Sequence, residues 1–310
     1  MRKPPHPVRI FQKIVVATDF SEFASVALLR AANLALHFEA SLVLAHVIDP
    51  VSAAGGSDGA PFVEMEDESS ALAKLEAEAH SLRECGIAYS LAVRNGDTRD
   101  EVSKLVEDTH ADLLVLSTHG QFCFDRPVRS SVAEKILRIA PCPVMTVGPA
   151  AWLTRDAAYN SNHILFPTDL SQVSLRALPF VDAMASVSGS ELTVLRVTQE
   201  AETRQSHQAA VAKLQAVIRQ EVTLTRKVHC TVQGGDLGET IASEALGRNC
   251  DFVVLGVHRE DLTQPPRGGL HLGLVYQIVS RTATPVISLH DRLDVQALRA
   301  TQLTKVPTVA

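Results

Sequence analysis

Apolar residues in this chain gather into short, near-continuous runs separated by longer stretches with helical spacing. Ile14-Val15-Val16-Ala17, Leu42 to Val47 and Leu113-Leu114-Val115-Leu116 are too short for helices and read as buried strands. Phe23, Val26, Ala27, Leu28, Ala31 and Leu34 recur on one helical face after the first run. After the second run, Asp49 to Pro61 is rich in Gly, Ala and Ser and reads as a long surface loop. Residues from about Ser69 to Arg83 predict a helix, and Ala88 to Val93 a third strand. Gly96-Asp97-Thr98 is a turn whose Asp or Thr can cap the helix that runs to about Glu107. Ser130-Ser131-Val132-Ala133-Glu134 marks another helix start, with Ser131 and Glu134 spaced as a capping box, and Pro143 to Val147 is the fifth strand.

The pattern then begins again. His163 to Ser171 repeats Lys13 to Ser21, and Leu192 to Val197 repeats Leu42 to Val47, both at an offset of 150. Val232 to Asp236 repeats Val93 to Asp97, and Asp251 to His258 repeats Asp112 to His119, at an offset of 139. The second copy is therefore 11 residues shorter, and the deletion falls where the loose loop stood. This is a tandem duplication with its junction near Gly148 to Asn162. Each copy predicts an open, five-stranded parallel sheet with helices on both faces, an α/β, Rossmann-like domain. Residues 1–150 form the first domain, 160–290 the second, and 291–310 a polar tail.

Composition narrows the reading further. At 310 residues with 46% hydrophobic and 21% charged, the chain has an ordinary globular balance. A net charge of −6 argues against nucleic acid as a partner. The N-terminal MRKPPHPVRIF lacks the apolar segment of a secretory signal, and no run approaches membrane-spanning length. Five cysteines without a CxxC pair fit reduced, cytosolic packing thiols rather than metal ligands.

Chemistry is expected where strands end. Asp19 closes the first strand, and Ser117-Thr118-His119-Gly120 closes the fourth, ahead of the Ser130-Ser131 helix start. A strand, a glycine turn and a helix N-terminus together deliver N–H donors and a positive dipole end to one place, which suits an anion such as phosphate. Asp19 could bind a ribose hydroxyl or cap the next helix with Ser21. Ser131 could touch a phosphate or act only in the capping box, and His119 could flank phosphates or hold the turn. No Walker-type loop and no nucleophile–base pair stands out, so no catalytic and no metal-ligating residue is assigned.

VVATDFSEFASVAL, LAHVIDP, the STHG turn and SSVAEKILRIAPCPVMTV resemble the universal stress proteins in tandem two-domain form. The resemblance implies strand order 3-2-1-4-5 in each domain. It also implies an adenine nucleotide, ATP or AMP with Mg²⁺, at a G-x2-G-x9-G-[ST] motif after the fourth strand. Carried over residue by residue, the nucleotide-binding set is Ala17, Asp19, Val47, Ser117, His119, Gly120, Ser130 and Ser131. Serine replaces two of the three motif glycines, at Ser117 and Ser130. Glycine at such positions permits a positive φ or a close backbone approach, and a serine held in the left-handed conformation costs about 1–2 kcal/mol, enough to weaken binding roughly tenfold. The second copy reads Gly256-Val257-His258-Arg259, with a longer loop and Leu272-Gly273 at the helix start, so its site is expected to be lost. The expected protein is a cytoplasmic stress-response protein that binds nucleotide weakly in its first domain, with slow ATP hydrolysis at most. The alternative is a nucleotide-free, dimerising scaffold. The resemblance further implies pairing through fifth strands, both as an internal pseudo-dimer and as a homodimer.

Overall fold

The computed structural model describes residues 10–49, 67–118, 132–154, 163–198, 204–221, 228–258 and 272–290. By its internal contacts the chain divides into two compact units, Phe11–Arg155 and a second that holds Asp156–Ala310. In the first, strands β1 (Lys13–Ala17), β2 (Ser41–Ile48), β3 (Tyr89–Asn95), β4 (Leu113–Ser117) and β5 (Val144–Val147) alternate with helices. The helices are α1 (Glu22–Phe38), α2 (Glu68–Glu84), α3 (Thr98–Thr109) and α4 (Val132–Ile139), and a 3-10 turn, Pro149–Thr154, follows β5. The strands lie in the order β3-β2-β1-β4-β5 and pair in parallel, as the repeat and the resemblance imply.

The second unit repeats this plan. Its strands are β6 (His163–Pro167), β7 (Glu191–Thr198), β8 (His229–Gly234), β9 (Phe252–Val257) and β10 (Val286–His290). Between them run α5 (Gln172–Ser188), α6 (Arg204–Glu221), α7 (Leu237–Gly247) and α8 (Leu272–Arg281). The strand order is β8-β7-β6-β9-β10, the same winding as in the first unit. The loop from Pro50 onward and the tail 291–310 lie outside the described residues.

The apolar runs become strands because both faces of each sheet are covered. Every residue from Leu113 to Leu116 is buried, whereas the edge strand β3 is half-exposed along most of its length. Helix α1 packs over β1, β4 and β5 with a face rich in alanine (Ala24, Ala27, Ala31, Ala35), which lets the helix axis approach the sheet closely. Helix α2 covers β2 and β3, while α3 and α4 pack against each other. Asp67 caps α2 by accepting from the Ser70 amide (2.6 Å), and Asp97 caps α3 by accepting from the Asp100 amide (3.1 Å). Of the two cap candidates at the 96–98 turn, aspartate is therefore the cap, and Thr98 is the first helical residue.

The carboxylate that opens each fourth strand has a definite task. Asp112 Oδ2 accepts from the amides of Gln12 (2.7 Å) and Lys13 (2.9 Å), tying the entry of β4 to the entry of β1. Asp251 does the same in the second unit, accepting from the His163 amide (3.0 Å). These bonds occupy amides at the start of β1 and β6, and without them part-buried donors would lose their partners. Replacing Asp112 by Ala is expected to lower the unfolding free energy by about 2 kcal/mol, measured by urea denaturation. A loss within error would show that the strand entry needs no such tie.

Candidate functional site

The site begins at the end of β1. The Thr18 amide donates to the Ala45 carbonyl (2.9 Å), extending the β1–β2 ladder by one bond, and then the chain turns. Thr18 Oγ1 accepts from the Phe20 amide (3.0 Å), Asp19 Oδ1 from the Ser21 amide (3.1 Å), and Ser21 Oγ from the Ala24 amide (3.2 Å). Phe20 is left with φ of 63°, in the left-handed region. For a residue with a Cβ this costs on the order of 1–3 kcal/mol. The three side-chain bonds offset that cost, and so does the Phe20 ring, which lies on the His46 imidazole with centroids 4.3 Å apart. Lys74 Nζ stands 5.3 Å from the Phe20 centroid. His46 Nδ1 contacts the Thr18 carbonyl at 2.8 Å; a carbonyl can only accept, so Nδ1 carries the hydrogen.

Register then places the neighbours. Ala17 pairs with Ala45 on β2, and Val16 with Val115 on β4. Continuing these rows beyond the paired residues brings Thr18, His46 and Ser117 to one level, and Asp19, Val47 and Thr118 to the next. Strand order reverses between β1 and β4, so this row sits at the crevice where ligands bind in open α/β sheets. Val47 is buried, and the Thr118 amide still donates to the Val147 carbonyl (3.1 Å). The strand end of β2 is anchored separately: Asp49 Oδ2 accepts from the Thr98 hydroxyl at 3.2 Å. Of the sequence-assigned set, the structure thus gathers Ala17, Asp19, Val47 and Ser117 at adjacent carboxyl ends. His119, Gly120, Ser130 and Ser131 lie outside the described residues, although α4 begins directly after Ser131, at Val132.

The second unit shows which features belong to the fold. Thr168 Oγ1 accepts from the Leu170 amide (3.0 Å), Asp169 Oδ1 from the Ser171 amide (2.9 Å), and Ser171 Oγ from the Ser174 amide (3.2 Å). Leu170 has φ of 64°. The turn is reproduced bond for bond in the copy whose motif is altered. Asp19 therefore has a structural task whatever else it does, and the helix cap itself is Ser21 rather than Asp19.

Gly256 matches Ser117 and explains the first glycine of the motif. A Cβ at Gly256 would lie 2.8 Å from the Ser174 Cα and 2.8 Å from the Val173 carbonyl oxygen, both backbone atoms of α5. Its backbone is not left-handed; the glycine is there because helix and strand approach closely. Ser117 likewise stands in strand β4, outside the left-handed region. The backbone penalty anticipated for a serine at this position does not arise at Ser117.

Sequence reading passed over two polar residues near this turn, His46 and Glu78. His46 interrupts an apolar strand, and Glu78 lies beside the inward positions Leu75, Ala79 and Leu82 of α2; both were visible as polar residues on or next to apolar faces. Burial raises the Glu78 carboxyl above its usual range. Of the cysteines described, Cys85 is exposed, while Cys142, Cys230 and Cys250 are buried. Burial pushes the Cys250 thiol up to about 12, which makes it a packing group rather than a nucleophile. Among the described residues no group of three or more His, Cys, Asp or Glu side chains could hold a metal ion, and no helix is long and apolar enough to cross a membrane.

A family model for the universal stress protein family matches the chain twice, over residues 10–148 and 160–287. The chain belongs to the universal stress protein family. One universal stress protein of Methanocaldococcus jannaschii is 29% identical over 143 residues, covering 44% of this chain and 82% of its own length. A second from the same organism is 25% identical over 154 residues, covering 44% of this chain and 95% of its own length. Among solved structures, a universal stress protein from Archaeoglobus fulgidus aligns over 91% of this chain and 97% of its own, with a TM-score of 0.62 and 14% identity. At that identity the likeness is one of fold.

Close approach of α5 to β9 predicts that Gly256→Ala destabilises this universal stress protein by about 1–3 kcal/mol, measured by chemical denaturation. Ser117→Gly should stay within about 1 kcal/mol of the parent. Unchanged stability of the Gly256 variant would contradict the packing role.

Proposed function

We propose that this protein is a cytosolic stress-response protein that binds one adenine nucleotide, ATP or AMP, in residues 1–150 and none in residues 160–290. The observation that supports this reading is the crevice at the carboxyl ends of β2, β1 and β4, where Asp19 and Val47 share one level and Ser117 stands one level before it. In this reading Val47 and Ala17 take the adenine side, Asp19 and Ser117 the ribose, and His119, Gly120, Ser130 and Ser131 the phosphates, with Mg²⁺ arriving on the phosphates. The residues fit a ribose to the extent that a strand-end carboxylate accepts hydroxyl hydrogen bonds. Binding is weak, because Asp19 also serves the turn through the Ser21 amide.

One observation favours a second reading, a nucleotide-free scaffold that self-associates into a homodimer. The Asp19 turn recurs unchanged at Asp169, where the motif has arginine at position 259. The two readings separate in a thermal melt. ATP at ~100-fold its Kd stabilises the binding unit by about 2.7 kcal/mol and raises the midpoint, and Gly120→Leu removes the rise. No rise with ATP or AMP leaves the scaffold reading standing, and a rise that survives in the Gly120 variant puts the ligand elsewhere.

A further inference from the structure

Helices α1 and α2 leave a groove of about 280 Å³ between them. Ser25, Leu29 and Leu36 stand on the α1 wall, and Glu78, Leu82 and Cys85 on the α2 wall. Residues 25, 29, 32 and 36 recur every three or four positions and so form one stripe along α1. At 1.5 Å per residue the stripe is roughly 16 Å long, about three helical turns. Leu29 is 40% exposed and Leu36 50%, so both present apolar surface to the same channel. Carboxylates mark its ends: Glu22 lies one turn before Ser25 and Glu39 one turn after Leu36, and both are exposed. The cations of the two helices are directed elsewhere. Lys74 stands over the Phe20 ring, Arg83 donates to the Tyr89 hydroxyl (2.8 Å), and Arg30 follows Leu29 and so lies off the stripe.

The duplicated unit serves as an internal control. Helix α5 repeats α1 at an offset of 150, and the buried Leu214 and Ile218 of α6 match Leu75 and Ala79. At the matched positions Leu29 and Leu36 give way to Pro179 and Ser186, and Ser25 to Leu175. Glu22, Glu39 and Glu78 give way to Gln172, Gly189 and Val217. The same winding is therefore built without the exposed leucines and without any of the three carboxylates. The fold requires neither, and apolar side chains gathered in an open channel with a polar rim mark a surface that something else covers.

We propose that the α1–α2 groove docks an amphipathic helix of a partner protein, about three turns long, apolar on one face and carrying Lys or Arg at both ends. A helix laid between α1 and α2 sets side chains at i, i+3 or i+4 and i+7 against Leu29, Leu36 and Leu82. Its cations meet Glu22, Glu39 and Glu78, which fix its register and speed its encounter. The same carboxylates disfavour two other occupants. An anionic lipid surface is repelled, and a second copy laying its α1 antiparallel on this one sets Glu22 against Glu39. The groove uses none of the strand-end residues assigned to the nucleotide, so the two readings stand or fall separately.

The test uses a fluorescent peptide of about 15 residues, with leucine at helical i, i+3, i+4 and i+7 spacing and lysine elsewhere, and a control peptide with glutamate in place of lysine. Fluorescence anisotropy on the full chain should show the lysine peptide binding and the glutamate peptide not. Leu36→Lys should weaken binding roughly tenfold. Glu22→Gln with Glu39→Gly, which installs the second unit's residues, should lower the affinity for the lysine peptide and flatten its salt dependence. Glu107→Lys on α3 should leave binding unchanged. Bound peptide should also slow alkylation of Cys85 by iodoacetamide, read residue by residue in a mass spectrum. The proposal is overturned if neither peptide binds, if both bind alike, or if Leu36→Lys and Cys85 alkylation are indifferent to the lysine peptide. Sedimentation that shows the parent self-associating and Leu36→Lys monomeric assigns the groove to a second copy, and capture by anionic vesicles assigns it to a membrane; either result overturns the proposal as well.

Discussion

Everything at the top of each sheet depends on one turn, in which three short side chains end a strand and start a helix within four residues. Threonine holds the amide two residues on, aspartate holds the next, and serine caps the helix. The residue between aspartate and serine is forced to positive φ, phenylalanine in one unit and leucine in the other. Neither is a residue that favours such a backbone, so the turn is imposed by its hydrogen bonds rather than chosen by local propensity. Its consequence is the placement of the first helix. In the second unit that helix comes so close to β9 that only glycine fits at position 256.

Comparing the two units separates scaffold from chemistry without any outside reference. What both copies keep is structural: the threonine–aspartate–serine turn, the aspartates that tie strand entries together, and the strand order. What differs lies on α1, β2 and α2, where the first unit has Ser25, His46 and Glu78 and the second has Leu175, Arg196 and Val217. The first glycine of the family motif changes meaning under this comparison. Gly256 answers to helix packing, so a serine at 117 says little about whether phosphate can bind.

Much of the fold could be read from residue patterns because both sheet faces are buried. Apolar runs of four to six residues have no other economical placement, and the repeat offset located matched strands to within a residue or two. Asp97 was visible as one of two cap candidates and Asp112 as a strand boundary, yet the two amides that Asp112 binds, Gln12 and Lys13, lie at the entry of β1, about a hundred positions away, and no local pattern reveals them. The same distance hid the surroundings of α2. Sequence spacing shows that Glu78 lies next to an apolar face; it does not show that the same helix brings Lys74 over Phe20 of the β1–α1 turn. Of the two reasons for a glycine at position 117, positive φ and close approach, the clearance between a helix and a strand is the one that governs the matching Gly256.

A division of labour between matched domains accounts for these differences: one copy keeps a polar strand-end cluster, and the other retains the frame alone. Binding stoichiometry tests this most directly. Calorimetric titration of ATP with Mg²⁺ into the full chain should give one site per chain, and Arg259→Gly in the second unit should leave that number at one. Two equivalent sites per chain, or a single site that Val47→Glu at the β2 strand end leaves intact, would contradict the account.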